Sequence, residues 1–300
     1  MIKREELNGF AVDLGGTKLA AARIERGQLV ERKQTTTATD ADANAQCEAM
    51  RDLLGEIGWT DEPVGIAVAG RVTADGHWSA VNKGTLTNLG EVAFRNVVRQ
   101  LLGVPVSLAN DALAAATAEA HIGAGVGIKN FAYITISTGV GGGIVIDGNP
   151  LTSQNGLAGH IGFMSSRLGD KRCGSGRLGT VESVAGGRAI AALALEKGHD
   201  VENAKQVFDA ALNGETWAHG IVDQSANAIS ILIADLTSLL GLERVALGGS
   251  IGLAQGYLER VQAHLNEEPA LFRPQLMPAA LRQDSALLGV LQLDRTGAVI

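Results

Sequence analysis

Cysteine, aromatic side chains and runs of one charge are all scarce in this chain, and each scarcity removes a class of protein. Two cysteines, Cys47 and Cys173, cannot frame a disulfide scaffold and fit a reducing compartment. Aromatic residues make up 4%, and Trp59, Trp78 and Trp217 lie far apart, so no platform for stacking bases is expected. No block of Lys or Arg stands out, and the net charge is −7, which argues against a nucleic-acid surface. No uncharged apolar run approaches the ~20 residues of a membrane span. The opening MIKREELNGFAVDLGG has neither an apolar h-region nor a small-residue cleavage site, so no signal peptide and a cytoplasmic location are expected.

Glycine is plentiful instead, with 39 of 300 residues against an average near ~7%. Much of it is clustered, which suggests backbone that approaches a ligand closely. Hydrophobic residues at 46% and charged residues at 19% describe a folded chain with large cores. Apolar runs and turn signals predict strands over 9–14, 18–24, 28–33, 64–69, 106–109, 131–137, 144–147 and 244–247. Helices are expected over 41–57, 91–102, 112–121, 221–240 and 284–293, with 138–143 read as a Gly-rich turn. The hairpins DLGGTK and STGVGGG recur about 120 residues apart, as an internal duplication would produce. The expected organisation is α/β, with two related lobes and a central cleft. A smaller lobe would take 1–111 plus 284–300, and a larger one 112–283.

Both hairpins read as phosphate cradles. Successive N–H groups in a tight turn form an anion nest, and glycine allows oxygen atoms to approach it. The candidates are Gly15, Gly16, Thr17 and Lys18 on the first turn, and Thr138, Gly139, Val140, Gly141 and Gly142 on the second. A third pair, Gly248 and Gly249, follows strand 244–247. Asp13, just before the first turn, is placed to hold a Mg²⁺ hydrate beside phosphates. An ordinary β-hairpin explains either cluster alone; matched clusters point to nucleotide. Gly174-Ser-Gly176-Arg-Leu-Gly179 fits G-x-G-x-x-G, but no apolar strand precedes it, so a dinucleotide site is not expected there.

Together these residues resemble the ROK family of sugar kinases, within the actin-like (ribonuclease H-like) ATPase superfamily. The matching segments are DLGGTK (13–18), Asn110-Asp111, STGVGGG (137–143), GLAGHIG (156–162), C-G-x-G-x-x-G-x-x-E (173–182) and LGGSIG (247–252), and the resemblance spans most of the chain. It implies an ATP-dependent, Mg²⁺-assisted transfer to the 6-hydroxyl of a hexose. Asp111 would be the catalytic base, and Gly248 and Gly249 would face adenosine. Asn110, Asp111, His160 and Glu182 would bind the sugar, with Asn82 and Asn88 in the segment where relatives place a further contact. GLAGHIG carries His160 where glucose-acting members usually have Glu. Within the family this points to N-acetylmannosamine and to sialic acid breakdown, with glucose, N-acetylglucosamine or allose as alternatives. The resemblance also suggests a homodimer.

From the residues alone, Asp111 reads equally well as a helix N-cap, His160 as a core histidine and Glu182 as a solvated helix face. Many relatives bind structural zinc through one His and three Cys. Here those positions are Phe163, Cys173, Ser175 and Thr180, so no zinc is expected, and packing of Phe163 with hydrogen bonds would hold the loop. A sugar-responsive repressor is a poor fit, because no helix-turn-helix region precedes the first strand and the chain is acidic.

Overall fold

The structure is a computed structural model and describes residues 4–82, 86–88 and 90–296. The outermost positions of the expected smaller lobe, 1–3 and 297–300, therefore lie outside the described residues. Strands in chain order are β1 (Gly9–Leu14), β2 (Lys18–Glu25), β3 (Gln28–Thr36), β4 (Val64–Val68), the short β5 (Arg71–Val72) and β6 (Trp78–Ser79), and β7 (Val106–Asn110). They continue with β8 (Phe131–Ile136), β9 (Val140–Ile146), β10 (Asn149–Pro150), β11 (Arg244–Gly248) and β12 (Gln275–Pro278). Helices are α1 (Ala43–Glu56), α2 (Phe94–Leu102), α3 (Asp111–Ile122), α4 (Glu182–Ala185) and α5 (Gly187–Glu196). The remainder are α6 (Ala204–Leu212), α7 (Thr216–Leu240), α8 (Gly249–Gly252), α9 (Tyr257–Leu265) and α10 (Ser285–Thr296).

Two five-stranded sheets, ordered β3-β2-β1-β4-β7 and β10-β9-β8-β11-β12, repeat one topology. In each, the first strand pairs antiparallel with a hairpin partner and parallel with a later strand. That repeat is the duplication suggested by the two Gly hairpins. One core packs α1 and α2 on the first sheet around Met50, Leu54, Ile66 and Phe94. Another packs α5, α6, α7 and α9 on the second around Ile134, Ile190, Ile229 and Val261. A third cluster lies between the sheets and is built largely of alanine from α3 with Leu287, Leu288 and Val290 of α10. Helix α3 lies against β8 and β9, α10 lies against β1 and β4, and the two helices pack on each other.

The alanines and glycines of this middle layer permit the approach. A Cβ on Gly289 would fall 1.8 Å from the Ala114 carbonyl oxygen, and one on Gly65 would fall 2.9 Å from Val290. Every side chain from Ala112 to Ala120 of α3 is buried, so this helix has no polar face and no amphipathic period.

Several predicted elements change bounds; β3 runs on to Thr36, and α7 starts at Thr216 rather than 221. The second hairpin turn spans only 137–139, and β9 begins at Val140. Gly142 and Gly143 belong to the strand because a Cβ there would collide with Ile161 and with Ala116. Helix α2 starts at Phe94, not 91, because Val92 instead bridges to Trp78 in an antiparallel contact. Gly103 and Gly241 end α2 and α7 in the left-handed conformation, with φ of 70° and 61°. No helix among the described residues is long and apolar enough to cross a membrane.

Candidate active site

Strand β7 ends where α3 begins, and the junction settles the role of the Asn-Asp pair. The Asn110 side chain is the N-cap: its Oδ1 accepts from the Leu113 N–H at 3.0 Å. Its Nδ2 donates to the Gly70 carbonyl at 2.9 Å and to Asp111 Oδ1 at 2.9 Å. Asp111 is thus the first helical residue rather than the cap. Its Oδ1 also accepts from the Ala112 N–H at 2.8 Å.

Asp111 borders two chambers. On one side is a cavity of ≈ 360 Å³ lined by Gly15, Gly16 and Thr17 of the first turn, Thr138 to Gly142 of the second, and Asn110, His160, Glu182 and Asn82. On the other is a cavity of ≈ 1020 Å³ that holds Asp13, Lys18, Arg32, Gly249 and Ser250. A third, of ≈ 640 Å³, opens from Ser137 and Thr138 towards Gly187, Asn203, Phe208 and Ile251. Ser137 Oγ and Ser250 Oγ, 3.1 Å apart, stand at the junction of the last two.

Local structure fixes the turns. Gly15 N–H donates to the Lys18 carbonyl at 2.9 Å, and Thr37 Oγ1 donates to the Gly15 carbonyl at 2.8 Å. In the second turn, the Ser137 N–H donates to the Gly139 carbonyl, and the Gly187 and Arg188 N–H groups at the start of α5 reach the carbonyls of Ser137 and Thr138. Glu182 Oε2 accepts from the Val140 N–H at 3.2 Å, so the acidic side chain and the second turn are one unit. Gly139 has to be glycine here, since a Cβ would fall 2.3 Å from that same oxygen.

Burial also shifts the ionisable groups of the cleft. Burial raises Asp13 to about 7, with the Asp111 charge adding to the shift and Arg32 opposing it. Burial raises Asp111 to about 6, against hydrogen bonds from backbone N–H groups and Asn110 that favour its charged form. Burial also lifts Glu182, with the Val140 and Gly174 N–H groups and the Arg188 charge opposing. His160 is pushed below its ordinary value by burial, so the ring is neutral at pH 7, and its Nε2 is buried with no hydrogen-bond partner. Two buried carboxylates facing one nearby guanidinium suit a divalent cation. Among the described residues no three ligating side chains cluster. Asp13 and Asp111 are carboxylates of the larger chamber that could face a divalent cation.

Not every predicted residue reaches the cleft. Gly248 is buried, and a Cβ there would lie 2.3 Å from the Tyr133 hydroxyl; Gly249, with φ of 81°, is the member of the pair that lines the cavities. Asn88 Nδ2 donates to the Asp40 carbonyl at 2.6 Å, which stitches its loop to the segment before α1 and away from the chambers. Asn82 does reach the cavity, where its Oδ1 accepts from Arg188 at 3.2 Å and its amide packs on Gly174. Ser137, Thr138, Ser250 and Ile251 of the third cavity belong to recognised motifs, but its remaining walls, such as Asn203 and Phe208, carry none. The one available signal was composition: Gly187 opens α5 directly after the Glu182 turn.

The loop that bears zinc in many relatives does not suit the metal. Phe163 stacks on His160, with ring centroids 5.9 Å apart and planes at 25°. Cys173 Sγ lies 3.0 Å from Ser175 Oγ, and Thr180 is fully buried. Backbone bonds hold the loop instead, including Val181 N–H to Met164, Ser166 N–H to Gly179 and Gly179 N–H to Lys171. Four N or S ligands are not present at these positions.

A doubled sheet with a glycine-rich turn on each side of a cleft is the actin-like ATPase architecture, and this chain has that fold. The chain belongs to the ROK family, whose model matches residues 9–296. It is 40% identical to an N-acetylmannosamine kinase of Yersinia pseudotuberculosis serotype O:1b over 289 residues, covering 96% of this chain and 98% of that protein. An N-acetylmannosamine kinase of Haemophilus influenzae strain PittEE is 37% identical over 280 residues, 93% of each. Among solved structures, a ROK family glucokinase from Streptomyces griseus in complex with glucose and AMPPNP superposes with a TM-score of 0.84 at 26% identity, covering 97% of this chain and 100% of that one.

Proposed function

We propose that this protein is an ATP-dependent kinase that phosphorylates the 6-hydroxyl of N-acetylmannosamine. The carrying observation is that one carboxylate, Asp111, lines both the chamber where the two glycine turns meet the polar side chains and the chamber that holds Asp13, Lys18 and Arg32. The identity to N-acetylmannosamine kinases over nearly the full length supports the choice of sugar.

In this reading Asn110, His160, Glu182 and Asn82 hold the sugar hydroxyls, and the unpartnered Nε2 of His160 takes one of them. Asp111 accepts the 6-hydroxyl proton as that oxygen forms its bond to the γ-phosphorus. The bond from phosphorus to the bridging oxygen breaks, and its electron pair leaves with ADP. Such a transfer asks the protein for alignment and charge stabilisation more than for covalent chemistry. The N–H groups of the two turns supply donors to the phosphates, and Thr17 and Thr138 add hydroxyls. Asp13 is the residue that would orient the water shell of a Mg²⁺ bound with the nucleotide, and such an ion would supply positive charge against the phosphates. The third cavity is of a size and place to take adenosine.

Among the described residues, the smaller lobe takes those up to 111 together with those from 284 on, and the larger takes 112–283, since α10 returns to the first sheet while α3 sits on the second. The protein works as a homodimer in the cytoplasm, where ATP is available and the free thiols of Cys47 and Cys173 stay reduced.

The test is an ADP-release assay with Mg-ATP against N-acetylmannosamine, N-acetylglucosamine, glucose, mannose, allose and no sugar. Preference for N-acetylmannosamine supports the proposal. Preference for another hexose overturns the substrate and the specificity role of His160, and keeps Asp111 and the turns. No turnover with any sugar overturns the kinase reading.

A further inference from the structure

The larger chamber contains an arginine that the reaction described above does not use. In the register of the first sheet, Asp13 opposes Ala20, Ala20 opposes Gln34, and Ala22 opposes Arg32. Opposed residues share a face and alternate residues return to it. Asp13, Lys18 and Arg32 therefore project from one face of the sheet, with the small Ala20 and Ala22 between them, and all three line the chamber on the donor side of Asp111.

Arg32 is incompletely satisfied. Its Nη1 lies 3.4 Å from Asp284 Oδ1, at the long end for a charged hydrogen bond. Its Nε is buried and has no partner. The charge of Arg32 already acts on Asp13, the residue beside the first phosphate turn. Arg4 acts on Asp284 as well, so that carboxylate keeps a cation if Arg32 turns away.

We propose that Arg32 is a donor-side phosphate ligand, whose guanidinium leaves Asp284 and takes oxygen atoms of the terminal phosphates of the bound nucleotide. This rests on the reading of the chain as an ATP-dependent kinase. A guanidinium offers a planar fork of donors that matches phosphate oxygens. Charge spreads over the transferring group and the leaving oxygen during phosphoryl transfer, so a cation fixed there stabilises the transition state. Asp284 then acts as the resting partner that holds the side chain extended towards the chamber before nucleotide arrives.

The experiment is calorimetric titration of ATP, ADP and AMP in Mg²⁺ buffer, without sugar, on the wild type and on Arg32→Gln, Arg32→Lys and Asp284→Asn, with a melting curve for each. The expected result is a loss of about tenfold or more in ATP affinity for Arg32→Gln, a smaller loss for ADP and none for AMP. A charged hydrogen bond of ~1.5–3 kcal/mol has that effect. Arg32→Lys should recover part of the loss, and Asp284→Asn should keep ATP affinity within about threefold. Equal losses for ATP and AMP, or a loss in Asp284→Asn matching that in Arg32→Gln, would make the pair purely structural and overturn the proposal. Unchanged ATP binding in Arg32→Gln would also overturn it. A wild type that binds none of the three nucleotides sinks the kinase reading itself, and the two failures are thereby told apart.

Discussion

Asn110 takes over the capping of α3, and that leaves the Asp111 carboxylate at the first turn of a helix with one oxygen free of backbone bonds. The helix N-terminus favours its charged form, while burial opposes it and wins, holding the group near 6. A base with that value must be ionised to accept a proton. The expected kcat/KM for sugar therefore rises with pH through about 6 and levels off only once Asp13 is ionised as well, above about 7. Asp111→Asn should lower kcat by at least ~100-fold while sugar affinity, read by calorimetry, changes little. A variant that keeps wild-type turnover removes Asp111 from the role of base. Asp13 carries the opposite lesson. Its folded value, about 7, lies above the unfolded 3.8, so the folded state holds its proton more tightly. Its contribution to stability is full below pH 4 and is lost as pH rises towards 7. Asp13→Asn should raise the Tm of the ligand-free protein at pH 7.5 by several degrees and give no gain at pH 4, while abolishing turnover. A Tm that falls at pH 7.5 would contradict the burial argument.

Elements position these residues through close backbone approach, and small side chains make that approach possible. The contact of Gly289 with the Ala114 carbonyl brings α10 onto α3, whose first residue is Asp111. Gly289→Ala is expected to cost about 1–3 kcal/mol by overpacking. Because the displaced helix carries Asp111, kcat should fall as well. Denaturant unfolding and steady-state kinetics on one preparation measure both, and an unchanged midpoint would mean that the helices separate without penalty. The loop from Phe163 to Thr180 offers a second test. Its order comes from backbone hydrogen bonds and from the Phe163–His160 stack. Prolonged treatment with a strong zinc chelator should leave Tm and sugar KM unchanged, whereas a drop in Tm would reveal a metal-held loop.

Across the whole molecule, the two sheets meet through α3 and α10, and Glu119 lies at that meeting point. Its buried carboxylate accepts from the N–H groups of Ala124, Ala280 and Leu281 and from the Ser285 hydroxyl. The bonds tie the end of α3 to the segment that leads into α10. Closure about this joint would exclude water from the γ-phosphate. Small-angle scattering should show a smaller radius of gyration with N-acetylmannosamine and a non-hydrolysable ATP analogue together than with neither. An identical radius in both states would mean that the cleft is already shut, as the Asn82–Arg188 contact across its mouth would then explain.

Much of this was legible in the chain. Asp13 and the glycines of both turns stand out by residue type and spacing, because a phosphate cradle is a local turn, whereas Asn110, Asp111, His160 and Glu182 were pointed to only by the resemblance to a family. The repeated hairpin likewise showed that one sheet topology occurs twice. Tertiary structure decided the rest. Gly248 reads like Gly249, yet the Tyr133 ring occupies the space beside it. Asn88 reads like Asn82, yet its amide is spent on Asp40. Gly142 and Gly143 read as turn, yet they serve a strand pressed on Ile161 and α3. Helix α3 is buried on every side, so no period reveals its partners. Arg32, Asn203 and Phe208 carry no local signal, because their neighbours come from segments far apart in sequence. The sequence determined which groups could do the chemistry, through residue type and spacing along a turn. Only the packing of two sheets around α3 and α10 decided which of them face a common cleft, because that depends on distances between segments that no spacing along the chain encodes.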